Sequence, residues 1–261
     1  GIDDRCPGEI TGADRALISS LEGFEDLKLI GKLQLQDHGI QNDDVVICVT
    51  EGGETSSVIG TMLEALSFYE GDGVSPGGPG GAADHLFLVY NNPDEVLLPF
   101  DRSREVIEND DITKLRLFTG PQGITGSTRM QASSSETFIV GIIMEQAICN
   151  VLRPHFSDEQ LLTQFGFDVS LAMRDRLLSF QAVQEAVLSK AVEIAALTDL
   201  ESGVYAAGRF STYYAQESMI TVFTDSTERS PTFRLFPLDS CDTPSAERKS
   251  WIQVWTDATN K

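Results

Sequence analysis

Residues 44–62, DVVICVTEGGETSSVIGTM, decide the fold. Asp44 to Thr50 is a nearly continuous apolar, β-branched run, the pattern of a strand buried in a parallel sheet. Thr55 to Tyr69 follows at once and sets Val58, Ile59, Met62, Leu63 and Leu66 at helical spacing. His85 to Tyr90 (HLFLVY) and Lys114 to Phe118 (KLRLF) read as further strands. This alternation predicts an α/β protein, a parallel sheet with helices on both faces in a three-layer αβα sandwich. Between the first helix and the second strand, Gly71 to Gly81 (GDGVSPGGPGG) has the composition of a mobile loop.

Downstream the pattern changes. Ser133 onward, SSSETFIVGIIMEQAICNVL, reads as a polar N-cap cluster opening a long helix. SDEQ at Ser157 to Gln160 is a capping box that opens a short one. Ser170 to Ala196 predicts one long amphipathic helix. Gly203 to Ala207 (GVYAA) then reads as a strand, and Thr212 to Val222 as a helix. A strand-first pattern restarting after a helical segment sets a domain boundary after residue 177, giving units 1–177 and 178–261.

The chain has 261 residues, 41% hydrophobic and 23% charged, the composition of a globular protein. Forty acidic against 19 basic residues leave a net charge of -21, which repels nucleic acid and anionic membranes. Uninterrupted apolar runs such as Phe138 to Met144 fall short of the ~20 residues of a spanning helix, so no membrane span is expected. No basic-then-apolar leader opens the sequence, and a cytoplasmic location is expected. Cys6, Cys48, Cys149 and Cys241 lack CxxC spacing, and Cys48 and Cys149 sit in apolar stretches suited to buried free thiols. His38, His85 and His155 have no zinc-ligand spacing, and neither a metal nor a cofactor is expected.

Three segments carry the chemistry. Gly120 to Met130 (GPQGITGSTRM) puts Thr125, Gly126, Ser127, Thr128 and Arg129 between a strand and a helix start. Backbone N–H groups, hydroxyls and a cation there suit an anion, and they equally suit an ordinary capped helix. Glu51, Gly52, Gly53, Glu54, Thr55, Ser56 and Ser57 form a second loop before a helix. Its glycines allow close backbone approach and its hydroxyls suit phosphate, whereas Glu51 and Glu54 oppose a dianion unless they turn away or meet sugar hydroxyls. LEGFED, Leu21 to Asp26, is an acidic turn after the helical stretch Ala13 to Ser20.

Taken in order, SLEGFEDLKLIGKLQL, DDVVICVTEGGETSSVIG, LVYNNP and GPQGITGSTRM resemble the N-acetylmuramic acid 6-phosphate etherases and the glucokinase regulatory protein of the sugar isomerase (SIS) superfamily. The resemblance covers most of residues 8–150. It implies a flavodoxin-like sheet of five parallel strands with a sugar 6-phosphate at the carboxyl ends. In the etherases a pair of glutamates eliminates lactate from the sugar. The base lies in an EGxED segment whose second Glu matches Glu25, and the acid in a SECPPT segment with no counterpart in the first unit. By this resemblance the first SIS unit begins midway. GVYAAGRFS and DSTERSPTF, residues 203–211 and 225–233, resemble the opening of a second unit with Glu228 at the acid position, hence partial tandem SIS units. Etherases tend to carry a basic residue at Glu54 and Ser at Gly52.

The resemblance therefore implies a ligand of the fructose 6-phosphate or N-acetylmuramic acid 6-phosphate type. Two protein partners also follow from it, a second copy of the chain and a sugar kinase. Three readings stand side by side: a regulator or sensor of phosphorylated sugars, an etherase-like lyase, and a fold retained for assembly alone. Half an acid–base pair in the first unit favours the sensor.

Overall fold

The structure, a computed structural model, describes residues 5–12, 16, 22–71, 81–123, 125, 128, 130–215 and 252–256. The expected helix at 13–20 (apart from Ala16), the Gly- and Pro-rich loop at 72–80, Gly126, Ser127, Arg129, the stretch 216–222, Glu228 and Cys241 lie outside the described residues. The chain divides into two compact units, residues 1–132 with 209–261, and residues 133–208.

The first unit opens with α1 (Glu22–Glu25) and α2 (Lys28–His38). Then come β1 (Val46–Val49), α3 (Ser56–Gly71) and β2 (Leu86–Tyr90). Next are α4 (Asp94–Leu97), α5 (Asp101–Ile107) and β3 (Thr113–Arg116). The three strands form one sheet in the order β1-β2-β3, both pairings parallel, with Cys48 opposite Leu88 and Leu88 opposite Lys114. This is the expected α/β sandwich, a parallel sheet among helices. Central strand β2 buries Leu86, Leu88, Val89 and Tyr90, so both of its faces are covered. Against it pack Ile59, Met62, Ala65, Leu66 and Tyr69 of α3, with Leu97, Val106 and Ile107 from α4 and α5.

Two glycines set the distance between α2 and α3. A Cβ on Gly31 would stand 1.8 Å from the Ser57 carbonyl oxygen, and one on Gly60 2.0 Å from that of Lys28. The helices thus cross backbone to backbone, which fixes the start of α3 against the sheet.

The second unit holds most of α6 (Gln131–Leu152), with α7 (Asp158–Phe165), α8 (Met173–Leu188) and α9 (Ala191–Ala206). The capping box is present: Gln160 N–H donates to Ser157 Oγ, and the Gln160 side chain accepts from the Ser157 N–H. Arg176 is buried, donating to Glu145 and to the Asp168 carbonyl. Phe138 of α6 packs on Phe180 of α8 at 4.7 Å between centroids.

Several expectations are corrected here. The single helix over 170–196 is two, α8 and α9, separated at Ser189 and Lys190, where the Lys190 N–H turns back to the Val187 carbonyl. Neither Gly nor Pro marks that break. Residues 203–206 of the expected strand GVYAA are the last turn of α9, because the Ala- and Leu-rich run before them carries the helix on until Gly208 takes a φ of +67°. Ser211–Ala215, at the start of the expected helix over 212–222, is strand β4, pairing in parallel with β5 (Ile252–Thr256) in a separate sheet. The β-branched and aromatic side chains of STYYA suit a strand.

The long helix also starts earlier than its serines suggest, at Gln131, so Ser133 to Ser135 lie within its first two turns rather than at its cap. Where the resemblance implies five strands in one sheet, the described residues show three in one and two in another. By length and composition alone, α6 is the helix among the described residues long and apolar enough to cross a bilayer. Its scattered polar residues interrupt runs without lowering the average enough.

Candidate functional site

The carboxyl ends of the three strands gather three loops, and backbone hydrogen bonds carry the ladder out into them. The Thr50 N–H donates to the Val89 carbonyl at 3.0 Å, the Asn91 N–H to the Glu51 carbonyl at 3.2 Å, and the Leu117 N–H to the Tyr90 carbonyl at 2.8 Å. An open parallel sheet places ligands at this edge.

The loop from Glu51 to Thr55 is held from several sides. Gly53 has a φ of +82°, a conformation that favours glycine, and a Cβ there would stand 2.6 Å from Leu97 Cδ1 and push that side chain aside. Its carbonyl accepts from the buried Ser103 hydroxyl at 2.9 Å. The Gly52 carbonyl accepts from Asn92 Nδ2 at 2.9 Å. Thr50 and Thr55 share a hydroxyl hydrogen bond of 2.8 Å across the loop. The site residues expected from sequence divide in direction. Ser57 is fully buried and paired with Thr11 at 2.7 Å, and Ser56, also buried, accepts from Arg102 Nη1 at 3.4 Å. Glu54 pairs with Arg102 Nη2 at 3.3 Å.

The GPQGITGSTRM segment meets this loop at one described point: Thr128 Oγ1 donates to Glu51 Oε2. Thr125 is exposed in a turn. Gln131 closes the segment on itself, accepting from the Gly123 N–H at 3.0 Å and donating to the Pro121 carbonyl at 2.9 Å. Gly126, Ser127, Arg129 and Glu228 lie outside the described residues. Glu25 ends α1 with an exposed side chain, and α1 packs against α2 and α3.

A second polar group lies at the same edge. Tyr90 donates to Asp94 Oδ1 at 2.7 Å and accepts from Arg116 Nε at 3.2 Å, while Arg116 Nη2 pairs with Asp94 Oδ2 at 2.8 Å. Burial, with the Asp94 carboxylate beside it, pushes the Tyr90 phenol up to about 12. Tyr90 therefore stays neutral as a structural hydrogen-bond donor.

Sequence reasoning missed Arg102, Ser103 and the role of Asn92. Asn92 lies in LVYNNP, so a motif pointed toward it. Arg102 and Ser103 lie in no motif. The signal available for them was positional, since residues shortly after a parallel strand return to its carboxyl end.

No protein-family profile matches the chain. The chain is similar to N-acetylmuramic acid 6-phosphate etherases. It is 29% identical over 141 residues to etherase 1 of Bacillus licheniformis, covering 54% of this chain and 38% of that one. It is 30% identical over 136 residues to the etherase of a Synechococcus species, covering 52% and 35%, and 29% identical over 136 residues to that of Clostridium acetobutylicum, covering 52% and 37%. The chain thus spans well under half the length of these curated relatives. The similarity supports a SIS-like relationship to sugar-phosphate enzymes.

Proposed function

We propose that the α/β unit binds a phosphorylated sugar of the N-acetylmuramic acid 6-phosphate type, with its phosphate at the start of α3. The observation that carries this reading is the Thr128–Glu51 hydrogen bond, which draws the Gly-, Ser- and Thr-rich segment to the loop before α3. It occupies Glu51, one of the two carboxylates that would oppose an anion. A 16-residue helix offers its first-turn N–H groups and a positive dipole end to the phosphate. Glu25, Gly52, Gly53, Thr55 and Ser56 are proposed ligand contacts, together with Gly126, Ser127 and Arg129 of the second segment. Ser57 is engaged by Thr11 and takes a packing role instead.

Calorimetric titration with N-acetylmuramic acid 6-phosphate, glucosamine 6-phosphate and fructose 6-phosphate tests the proposal. At least one is expected to bind, while its unphosphorylated counterpart gives no heat. Silence for all three overturns it.

What binding serves has two readings. The relatives described above are etherases, which supports a lyase in which Glu25 takes a proton from the sugar and lactate leaves. Glu54 and Gly52, where etherases tend to carry a basic residue and Ser, support a sensor in which Glu25 accepts hydrogen bonds from sugar hydroxyls. Glu228 is the proposed acid of a second unit. Lactate release from N-acetylmuramic acid 6-phosphate that disappears in Glu25→Gln selects the lyase. Binding without lactate selects the sensor.

A further inference from the structure

The first turn of α5 grips the loop before α3 with two neighbouring side chains. Ser103 is fully buried and bonded to the Gly53 carbonyl, which fixes that turn against the loop. Arg102, one residue earlier, spreads its guanidinium over the outer side, with one nitrogen 3.3 Å from Glu54 and another 3.4 Å from Ser56. Both distances are long for hydrogen bonds to a guanidinium, and each nitrogen reaches a different residue. The two-point fork that Arg forms with a planar or tetrahedral oxyanion is therefore unused. The Arg102 side chain keeps 41% of its surface and Glu54 34% of its own, so the pair opens to solvent where the proposed phosphate would lie.

Charge gives the arrangement a direction. The chain carries -21, and two carboxylates stand in this loop. Thr128 engages Glu51, and Arg102 engages Glu54. Arg116, another guanidinium at this edge, is committed to Asp94 and Tyr90.

We infer that Arg102 is the phosphate-recognition residue of the sugar-phosphate site and that Glu54 is the counter-ion it leaves when the phosphate binds. The inference rests on the phosphosugar reading above. A dianionic phosphate replaces one carboxylate at the guanidinium and gains a bidentate, charge-assisted contact. A neutral sugar cannot compensate for separating the pair. The pair thus selects for the phosphate of the ligand, while Thr128 and Asn92 stand elsewhere along the same edge.

Arg102→Gln and Glu54→Gln break the same ion pair, so a purely structural role would move both variants alike. Recognition moves them apart. By calorimetry on the 261-residue chain with the three sugar 6-phosphates, Arg102→Gln is expected to weaken binding about tenfold or more. Arg102→Lys should recover part of that loss, and Glu54→Gln should tighten binding about threefold. Thermal melting of each variant checks that it is folded. Affinities within about twofold of the parent for both Gln variants, or equal weakening in both, overturn the Arg102 inference and leave the phosphosugar reading standing. A parent chain that binds none of the three overturns that reading and this inference with it.

Discussion

Helices α3 and α9 are equal in length, 16 residues each, and both are rich in apolar residues, yet they differ completely in burial. In α3, Ile59, Met62 and Ala65 are fully buried and Leu66 and Tyr69 nearly so. In α9 no residue is buried, and Val192, Leu197 and Leu200 are 81%, 59% and 67% exposed. Apolar content does not decide burial; the opposing layer does. On one side α3 has the sheet, and on the other α2, brought to backbone contact by Gly31 and Gly60. The apolar residues of α9 fall around the helix rather than along one stripe. Such a pattern lets a helix form without telling which surface covers it.

The widest gap between the two regions should appear on truncation of a leucine. Leu88, 1% exposed in the central strand, is expected to cost about 2–5 kcal/mol as Leu88→Ala, through lost transfer energy and the cavity left behind. Leu197→Ala in α9 is expected to stay within about 0.5 kcal/mol, as for an ordinary surface substitution. Urea denaturation followed by circular dichroism measures both. Comparable losses would mean that α9 is packed in solution, and the comparison would fail.

This contrast also explains what can be read in the sequence. The strand around Leu88 is legible because a parallel strand covered on both faces must be an apolar run, and those around Ile47 and Leu115 because short β-branched or alternating runs bounded by polar residues suit a strand. The helix after Thr55 is legible for the same reason, its apolar stripe answering a sheet already predicted. GVYAA misleads because five β-branched, aromatic and small residues have no fixed preference until a neighbour imposes one, and there α9 extends through them. At the site, hydroxyls and glycines are legible because helix starts and left-handed φ values demand those residue types. Gly53 meets that demand. The direction of Ser57, turned to Thr11, depends on which face of α3 the α2 crossing buries. Arg102 reaches Glu54 from 48 residues away in sequence, and no local pattern encodes that distance.

A smaller effect tests what holds the second unit together. Arg176, 8% exposed in its side chain, donates to Glu145 and to the carbonyls of Asp168 and Leu171. Arg176→Gln leaves a carboxylate and a carbonyl short of donors. Glu145 keeps 34% of its surface in water, which reduces the loss from the full cost of breaking a buried pair to about 2 kcal/mol. The urea midpoint of the second unit should fall while that of the first stays fixed. No change in either midpoint would assign the stability of this unit to its apolar contacts, such as Phe138 with Phe180, rather than to the arginine.

The subtlest difference is one of sequence in unfolding, and the two buried thiols report it. Burial pushes Cys48 in the sheet up to about 12, and it raises Cys149 in α6 as well. A thiol raised in this way stays protonated at about pH 8, and the protonated form does not attack disulfide reagents, so both cysteines should be inert while their surroundings remain folded. Replacing Cys6 and Cys241 by Ser leaves one reporter in each unit. Cys48 sits in a continuous core with α3, β2 and α5, whereas Cys149 shares its unit with few buried apolar side chains, Ile142 and Leu161 among them. Regions with few buried contacts open at lower free energy. A pulse of thiol reagent at increasing urea, read by peptide mass, should therefore label Cys149 before Cys48. Labelling of both at one midpoint would show that the sheet and the helices of 133–208 unfold together, and the difference between α3 and α9 would then be one of exposure alone.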